Sequence, residues 1–398
     1  MNIAIFTNNY LPNPYGVANS IESFRKEFEK RGPASTRGDS STQGGHRVFI
    51  FAPRWKGYED KNPQVFRYPA LDIEFKIKFP LAIPYSLKIN KILSKLNLDI
   101  IHSQHPNLLG AAAARWARKK KIPLIFTWHT LYHKYAHFAG IVPEKIAAGY
   151  IIRKAVKYAN KAGAVIAPTD SIIPILRKWG VTNKNIIPVA TGVDEEYFIN
   201  ADRNIIRKKY NIAEDEILLL LVSRLTSEKN IEFVFRSVAG ILKNNKKTKF
   251  LVSGGGYLVP PLREFCKGEN IADKVFFSGV AERKDIKNCY AAGDIFVYAS
   301  KSETQGMVIT EAMYMGLPIV AVDATGVKSL VLNNANGFLV KDCEKEFSEA
   351  VLKLVKNKDL RDKFGEVSRR IAKTQFTSGI CASKMLEVYK KAIINHSR

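Results

Sequence analysis

Short apolar runs alternate with amphipathic stretches through the first half of the chain. Residues 2–7 form an apolar run that ends in a Pro- and Gly-rich loop over residues 8–16, and residues 20–28 then carry apolar side chains at helical spacing. Similar apolar runs recur downstream, at residues 48–53, 100–102, 124–127 and 164–168. Strands that alternate with helices in this way predict a parallel β-sheet covered by helices on both faces.

A second series of the same kind follows a turn-rich segment at residues 191–194. Its apolar runs lie at residues 217–222, 249–253, 275–278, 295–298 and 318–322. The chain is therefore predicted to form two α/β domains, residues 1–190 and residues 191–378. We expect the last segment, residues 379–398, to contain a helix over residues 380–394 that crosses back to the N-terminal domain.

One segment fits neither series. Residues 33–45 are rich in Gly, Ser and Thr, and they interrupt what otherwise reads as the end of a helix followed by a strand. This composition predicts a flexible insertion, either native or engineered. The triplet Arg37-Gly38-Asp39 inside it also fits an adhesion-type display, and the two interpretations stay open.

Composition adds a bias in charge. Hydrophobic residues make up 46% of the chain and charged residues 25%, which is typical of soluble globular proteins and excludes a disordered chain. The formal net charge is +25, and residues 76–121 carry ten Lys or Arg with Asp99 as their one acid. A basic face of this kind favours a polyanionic partner, which charge alone does not identify as nucleic acid, anionic lipid or nucleotide.

Cysteine spacing and hydropathy indicate the compartment. The four cysteines are scattered and form no C-x-x-C pair, which argues against a disulfide scaffold and a cysteine zinc site. The first residues do not resemble a signal peptide, and no stretch approaches the about 20 apolar residues of a membrane span. We therefore expect a cytoplasmic protein, either free or peripheral at the cytoplasmic membrane face.

The most informative motif lies at residues 302–318. Glu303 and Glu311 are eight residues apart across a glycine turn that enters a helix, so one carboxylate is expected in a loop and the other inside the helix. The backbone N–H groups of Gly306, Met307 and Val308 would point out of the helix N-terminus toward phosphate or sugar oxygens. The pattern predicts a nucleotide-sugar cradle, with a solvated helix face as the alternative.

The sequence around these carboxylates resembles a known family. Glu-Thr-Gln-Gly ahead of Glu-Ala-Met and Gly-Leu-Pro is similar to the family 4 retaining glycosyltransferases, also called group 1, and most similar to their diacylglycerol glucosyltransferase-like branch. The resemblance implies the α/β fold called GT-B, with two Rossmann-like, doubly wound parallel-sheet domains that face each other across a cleft. It covers nearly the whole chain apart from the insertion.

The resemblance also implies roles for single residues. Residues 223–230 match the family's strand-end motif, in which Arg224 and Lys229 bind the donor diphosphate, while Glu303 binds the sugar hydroxyls and Glu311 the ribose. On the same grounds His129 lies against the donor sugar near the reacting carbon. The remaining assignments are Gly16, Gly254, Gly255, Val280 and Arg283 for the donor, and His105 and Tyr132 for the acceptor.

Together these features predict a hexosyltransferase that uses a nucleotide sugar, with UDP-glucose as the first choice, and a membrane lipid such as diacylglycerol as acceptor. A GDP-mannose or other UDP-sugar donor and a soluble or polysaccharide acceptor remain alternatives, followed by a sugar-nucleotide epimerase and a nucleic-acid-binding protein. No Asp-x-Asp, H-E-x-x-H or Walker motif is present, so we expect no metal and no other cofactor. We expect no nucleic-acid partner, because no stacking aromatics accompany the basic residues.

The basic N-terminal half also predicts binding to an anionic membrane. Cationic and apolar residues are interleaved there in a pattern that would suit a bilayer interface. An amphipathic element packed on its own domain is the alternative. The cations are Lys76, Lys78, Lys88, Lys91 and Lys95, and the apolar residues are Phe75, Phe79, Leu81, Leu87, Ile89, Ile92 and Leu93.

Overall fold

The computed structural model of the chain divides into two compact units. The first comprises Met1–Gly192 and Ser378–Arg398, and the second comprises Val193–Thr377. The residues described are 1–13, 16–31, 45–75, 77–131, 144–280 and 283–397, without the side chains of residues 73–75, 77–79, 144–147, 283 and 284. Most of the predicted insertion, residues 33–44, and the predicted acceptor residue Tyr132 lie outside them.

The first unit begins with a strand, a helix and further alternating elements. In chain order these are β1 (Asn2–Phe6), α1 (Gly16–Lys30), β2 (Arg47–Pro53), β3 (Val65–Tyr68), β4 (Ala70–Phe75), β5 (Ile77–Ala82), α2 (Leu87–Lys95), β6 (Ile100–Ser103), α3 (Leu109–Lys120), β7 (Leu124–Thr127), α4 (Glu144–Ala159), β8 (Ala164–Ala167), α5 (Ile173–Lys178) and β9 (Ile186–Pro188). Seven strands form a parallel sheet in the order β3-β2-β1-β6-β7-β8-β9, and β4 and β5 form an antiparallel hairpin.

The second unit repeats this plan. Its elements are α6 (Glu195–Phe198), α7 (Arg203–Lys209), β10 (Ile217–Val222), α8 (Ile231–Asn244), β11 (Thr248–Ser253), α9 (Val259–Gly268), β12 (Val275–Gly279), α10 (Arg283–Ala292), β13 (Ile295–Tyr298), α11 (Met307–Tyr314), β14 (Ile319–Val322), β15 (Gly337–Val340), α12 (Glu344–Lys356) and α13 (Lys358–Gln375). Six strands form a parallel sheet in the order β12-β11-β10-β13-β14-β15.

The final helix, α14 (Ser378–His396), belongs to the first unit. Its buried side chains, including Met385 and Tyr389, pack with Ile5 and Phe28 on one face of the first sheet. The opposite face, which includes Phe6, is covered by α2 and α3. The two chain segments that connect the units are paired, because Val193 forms a parallel bridge with Thr377.

The alternation of strands and helices seen in the sequence is confirmed, since all the predicted apolar runs are strands of the two parallel sheets. Three short strands were not predicted, β3, β9 and β15, nor was the β4–β5 hairpin. Of the helices in the described ranges, none is both long enough and apolar enough to cross a membrane.

Candidate active site

Four loops of the second unit lie at one edge of its sheet. They follow β10, β11, β12 and β13, which are neighbours in the sheet. Because these strands are parallel, their carboxyl ends lie at the same edge, where open α/β sheets bind ligands. The loops hold several predicted site residues: Arg224 and Lys229 after β10, Gly254 and Gly255 after β11, Val280 after β12, and Glu303 and Gly306 after β13.

Lys229 and Glu303 form an ion pair at this edge. Nζ of Lys229 lies 2.5 Å from Oε1 of Glu303, and the hydroxyl groups of Tyr298 and Ser300 donate to the same oxygen at 2.7 and 2.9 Å. Burial raises the pKa of the Glu303 carboxyl, but the Lys229 charge and these hydrogen bonds outweigh it and leave the pKa below its usual value. Glu303 is therefore a carboxylate at neutral pH, held in place by three donors.

Arg224 is held by a residue that the sequence analysis did not identify. Its guanidinium lies 3.2 Å from the carboxylate of Glu228, which is nearly buried and also accepts a hydrogen bond from Thr226 at 2.7 Å. The backbone carbonyl of Glu228 accepts from the hydroxyl of Ser302 at 3.4 Å, next to Glu303. Glu228 thus fixes Arg224 on the loop that also carries Lys229. Its spacing of four residues after Arg224 was the available signal.

The glycines after β11 are required by the neighbouring loop. Gly254 has φ +140°, and a Cβ there would lie 1.8 Å from the carbonyl oxygen of Ser223. A Cβ at Gly256 would lie 2.1 Å from the carbonyl oxygen of Leu225. This close packing of two backbone segments explains the Gly-rich run without a ligand, and it brings the β11 loop against the loop of Arg224 and Lys229.

Glu311 lies inside α11, while Glu303 lies in the preceding loop. Oε2 of Glu311 accepts a hydrogen bond from the buried hydroxyl of Tyr290 at 2.6 Å. Gly306 precedes the helix with φ +84°, a left-handed conformation that favours glycine, so Met307 and Val308 form the first turn. The structure therefore separates the two carboxylates into different environments, one paired with a lysine and one with a tyrosine.

In the first unit, loops at the carboxyl edge hold both of the predicted site histidines, His129 and His105. Nε2 of His129, which follows β7, lies 2.6 Å from Oε1 of Gln104, which follows β6. Nδ1 of His105 accepts a hydrogen bond from the backbone N–H of Asn8 at 3.1 Å. Burial lowers the pKa of His129 to about 3 and that of His105 to about 4, so both rings are neutral at pH 7.

A third histidine, His102, lies behind these loops within β6. Its Nδ1 lies 2.6 Å from the hydroxyl of Tyr389 on α14, and its Nε2 lies 2.7 Å from Oγ1 of Thr127 on β7. Burial lowers its pKa to about 3. His102 thus connects α14 to the strand that ends next to His129, a contact that sequence analysis did not reveal.

The described structure shows no packing requirement for three further predicted donor-binding residues, Gly16, Val280 and Arg283. Gly16 begins α1, and a Cβ there would meet open space, so packing does not require a glycine at this position. Val280 is 79% exposed. Arg283 begins α10, but its side chain lies outside the described part of the structure.

The residues of the predicted membrane-binding pattern do not share one exposed surface in the structure. Lys88, Lys91 and Lys95 are exposed on α2, but Ile89 and Leu93 on the same helix are buried in the core of the first unit. These two residues are therefore not available to a bilayer, because they already pack against α3 and the sheet. The side chains of Phe75, Lys76, Lys78 and Phe79 lie outside the described residues.

Metal-ligating side chains do not cluster in the described part of the chain. Within the described ranges, no group of three or more His, Cys, Asp or Glu side chains is close enough to hold a metal ion. The ionic groups at the edge of the second sheet are instead matched pairs of cation and carboxylate.

Comparison with known proteins gives consistent matches. The chain matches the family described as Glycosyl transferases group 1 over residues 202–371 and that described as Glycosyltransferase Family 4 over residues 41–197. The chain is 33% identical to the alpha-monoglucosyldiacylglycerol synthase of Streptococcus pneumoniae. The alignment covers 85% of this chain and 75% of that protein. The chain is 26% identical to a GDP-mannose-dependent alpha-mannosyltransferase of Corynebacterium glutamicum. That alignment covers 85% of this chain and 76% of the mannosyltransferase.

A solved structure shows the same fold. The Anabaena protein Alr3699/HepE, in complex with UDP and glucose, superposes with a TM-score of 0.75 over 98% of this chain and 100% of that chain, at 17% identity. The fold class expected from the sequence, the α/β GT-B class with two parallel sheets, is therefore confirmed. The two family matches and the pneumococcal relative together show that this chain is an enzyme of the family 4, group 1 glycosyltransferases.

Proposed function

We propose that the chain is a retaining hexosyltransferase that moves glucose from UDP-glucose to a hydroxyl group of a membrane lipid such as diacylglycerol. The observation that carries the proposal is the charged edge of the second unit, where Lys229 and Glu303 lie 2.5 Å apart and Arg224 stands on the loop of Lys229. The pneumococcal relative, an alpha-monoglucosyldiacylglycerol synthase, supports the lipid acceptor. The ligands of the Anabaena structure support UDP and glucose.

Arg224 and Lys229 are assigned to the diphosphate of the donor. An ammonium group has three N–H donors, so Lys229 can hold the Glu303 carboxylate and a phosphate oxygen at the same time. A guanidinium adds a planar pair of donors that suits phosphate oxygens. Two fixed cations stabilise the charge that develops on a departing UDP, which is the role a metal ion would otherwise have.

The carboxylates and the first turn of α11 are assigned to the rest of the donor. Glu303 accepts hydrogen bonds from the sugar hydroxyls, and Glu311 accepts from the ribose. The backbone N–H groups of Met307 and Val308 open α11, where the helix dipole favours phosphate oxygens. Val280 and Gly255 border the base.

Transfer with retention follows from these assignments without a covalent enzyme intermediate. The bond from the anomeric carbon to the phosphate oxygen breaks, and a bond from that carbon to the acceptor oxygen forms on the same face. The acceptor proton passes to the departing phosphate oxygen, which Arg224 and Lys229 hold in place. His129, a neutral ring in the first unit, is assigned to a hydroxyl group of the donor sugar, and His105 to the acceptor.

A basic face of the first unit is assigned to the membrane. Residues 76–169 carry 16 Lys or Arg and two carboxylates, Asp99 and Glu144. The helices α2, α3 and α4 cover the same face of the sheet, and each exposes cations to solvent: Lys88, Lys91 and Lys95, Arg115, Arg118 and Lys119, and Arg153, Lys154 and Lys157. Each cation near an anionic bilayer contributes about 1 kcal/mol to binding.

Four exposed apolar side chains adjoin this basic face. Leu71, Ile83, Tyr85 and Leu87 are 57%, 40%, 56% and 74% exposed. Arg115 of α3 connects them to the basic face, because its guanidinium donates to the carbonyl of Pro84 at 2.6 Å. Apolar side chains beside cations suit the boundary between lipid headgroups and acyl chains.

A GDP-mannose-dependent transferase is the second candidate, favoured by the relative from Corynebacterium glutamicum. The charged edge fits both donors equally, since UDP and GDP carry the same diphosphate. The base and the sugar are therefore decided by experiment.

The proposed function is tested by an assay of the full chain with four donors: UDP-glucose, UDP-galactose, UDP-N-acetylglucosamine and GDP-mannose. Each is supplied with and without diacylglycerol in mixed micelles, with EDTA present in a parallel series. We expect α-glucosyl diacylglycerol from UDP-glucose by mass spectrometry and proton NMR, unchanged by EDTA. Transfer only from GDP-mannose, or only to soluble acceptors, would overturn the assignment, and donor consumption without an acceptor would indicate an epimerase.

Membrane binding is tested by sedimentation with vesicles of phosphatidylglycerol or phosphatidylcholine at low and high salt. We expect binding to the anionic vesicles that weakens as the Debye length falls from about 10 Å at 0.1 M to about 3 Å at 1 M salt. A Leu71→Gln/Leu87→Gln variant should bind less, while the control Ile205→Gln/Leu332→Gln, which changes exposed residues of the second unit, should bind as the parent does. Equal binding to both lipids would contradict the assignment of the basic face.

A further inference from the structure

Gln104 is placed to control the hydrogen atoms of His129. It follows β6 directly, is 5% exposed, and its backbone N–H donates to the carbonyl of Phe6 on β1 at 2.8 Å. Its side-chain oxygen lies 2.6 Å from Nε2 of His129. An amide oxygen accepts hydrogen bonds and does not donate them, so this contact requires a hydrogen on Nε2.

The surroundings disfavour a second hydrogen on the ring. His129 and Gln104 line one narrow cavity, and much of its wall is apolar, including Ile5, Phe24 and Met385. An apolar wall cannot hydrate an imidazolium ion. Burial lowers the pKa of His129 to about 3, and the nearby His105 and His102 lower it in the same direction. One hydrogen on Nε2 therefore leaves the lone pair on Nδ1.

We propose that Gln104 is a positioning residue that holds His129 as the neutral tautomer with its hydrogen on Nε2. A hydroxyl group that meets Nδ1 must then donate its own hydrogen, so the ring selects the direction of that hydrogen bond. The identity of the hydroxyl group rests on the proposed function. The assignment of the tautomer rests on the contact with Gln104 and needs no substrate.

The neighbouring ring has its tautomer fixed in a related way. The backbone N–H of Asn8 donates to Nδ1 of His105, which therefore carries a lone pair there and a hydrogen on Nε2 when neutral. The third ring, His102, meets the hydroxyl groups of Tyr389 on α14 and Thr127 on β7, and hydroxyl groups can either donate or accept. Gln104 and Asn8 thus set the direction of two hydrogen bonds at this edge, while His102 adapts to its partners.

The test is NMR of the full chain with histidines labelled with nitrogen-15, which distinguishes the two neutral tautomers and the cation for each ring. The His129 signals are identified by their loss in a His129→Asn variant. We expect a hydrogen on Nε2 and none on Nδ1 from about pH 5 to about pH 8, since the ring stays neutral across the range in which an unperturbed histidine titrates. The opposite tautomer in the parent protein would overturn the proposal.

Two variants separate positioning from a purely structural role. In Gln104→Leu the acceptor is lost, and we expect His129 to become a mixture of tautomers while the signals of His102 and His105 show that the unit is folded. In Gln104→Glu the acceptor is kept and a negative charge is added, so the pKa of His129 should rise and the ring should titrate within this range. A control variant, Gln64→Leu, changes a half-buried residue just before β3, whose backbone carbonyl accepts from Ile50 of β2, and should leave the His129 signals unchanged.

Unchanged His129 signals in both Gln104 variants would also overturn the proposal. Since the spectra need no substrate, this outcome is independent of the donor and acceptor. In the transferase assay we expect Gln104→Leu to lower kcat more than it raises KM, and Gln104→Glu to add an ionisation to the acid side of the kcat profile. A protein with the expected spectra but no transferase activity would refute the proposed function and leave the role of Gln104 intact.

Discussion

The carboxyl edges of the two sheets differ in their electrostatic character. At the edge of the second sheet, Lys229 lies 2.5 Å from Glu303 and Arg224 lies 3.2 Å from Glu228, so the loops hold ions in matched pairs. At the edge of the first sheet, the loops hold neutral imidazole rings, and burial keeps them neutral at pH 7. Two sheets of the same parallel design thus present ion pairs beside the second sheet's carboxylate Glu303 and neutral histidine rings at the edge of the first.

The two edges differ in the kind of ligand group, charged or uncharged, that each can bind. Ion pairs at the second sheet suit a ligand that brings its own charge, because fixed cations stabilise a diphosphate. The neutral rings suit hydroxyl groups, and burial penalises a charge placed on them. Removing a charge should therefore impair the second edge, while adding a charge should impair the first.

The largest expected effect is at the charged edge. Glu303→Gln keeps the shape of the side chain but removes the charge that pairs with Lys229. We expect kcat to fall about 10²–10³-fold, the range for loss of one preorganised electrostatic contact, and the melting temperature to fall as well, because the nearly buried Lys229 loses its carboxylate partner. The matched control Glu264→Gln, which alters an exposed carboxylate on α9, should keep full activity. Near-normal turnover of a folded Glu303→Gln variant would contradict the claim that the second edge depends on its ionic groups.

A smaller effect is expected from Tyr389→Phe, which leaves Nδ1 of buried His102 without its hydroxyl partner. An unsatisfied buried polar group costs about 1–3 kcal/mol of stability. All four tryptophans belong to the first unit, Trp55, Trp116, Trp128 and Trp179, so their fluorescence in urea follows that unit. The control Tyr150→Phe removes a hydroxyl from a half-exposed ring on α4 and should change the unfolding midpoint little. Equal midpoints for the two variants would contradict the role of the His102 contact.

The pH dependence of stability should separate the two edges. The pKa of His102 is lowered to about 3 by burial, below its value of about 6.5 in an unfolded chain. The unfolded state therefore binds more protons, so stability is complete above about pH 6.5 and falls by about 1.4 kcal/mol per pH unit for each such histidine below it. Glu303, whose pKa is lowered below its usual value, stays ionised between pH 7.5 and pH 5.5.

The measurement is the urea midpoint of tryptophan fluorescence at pH 7.5 and at pH 5.5. We expect a clear loss for the parent protein and a smaller loss for His102→Asn, which has one buried histidine fewer. A parent protein that is equally stable at both values would show that the rings are protonated in the folded state.

The smallest effect is expected at the rim of the charged edge. Asp342 forms an ion pair with Lys301 and accepts a hydrogen bond from the side chain of Asn230. Lys301 is close in sequence to Glu303, and Asn230 follows Lys229. The side chains of Asp342 and Lys301 are both at least 40% exposed. We expect Asp342→Asn to cost less than about 1 kcal/mol of stability and to leave donor binding unchanged. A large loss of donor affinity by calorimetry would mean that surface charges, as well as the Lys229–Glu303 pair, hold this edge together.

Much of the fold was readable from the sequence because both faces of a parallel sheet are covered, so its strands appear as unbroken apolar runs. The strands that were missed, β3, β9 and β15, lie at the sheet edges and are only three or four residues long. At such positions the side chains are partly exposed and the apolar run is weak.

The candidate site was readable where its chemistry is local in sequence. Lys229 and Glu303 stand beside turns at the ends of apolar runs, and the structure brings them together. Gln104 and Tyr389 were not singled out, because their roles come from contacts that the fold creates: Gln104 meets His129 across neighbouring strand ends, and Tyr389 and His102 are separated by 287 positions. A single sequence does not show which distant residues meet.

The position of α14 has a consequence for the order of folding during synthesis. The second unit is complete once Thr377 has been made, whereas the first unit lacks the helix α14 until residues 378–396 have also been made. Nascent chains fold unit by unit as they leave the ribosome. The second unit can therefore form its hydrophobic core first. Ile5 and Phe28 of the first unit are buried only later, when Met385 and Tyr389 of α14 pack against them. A chain that stops before Ser378 leaves that apolar face open to solvent, where chaperones bind or aggregation begins.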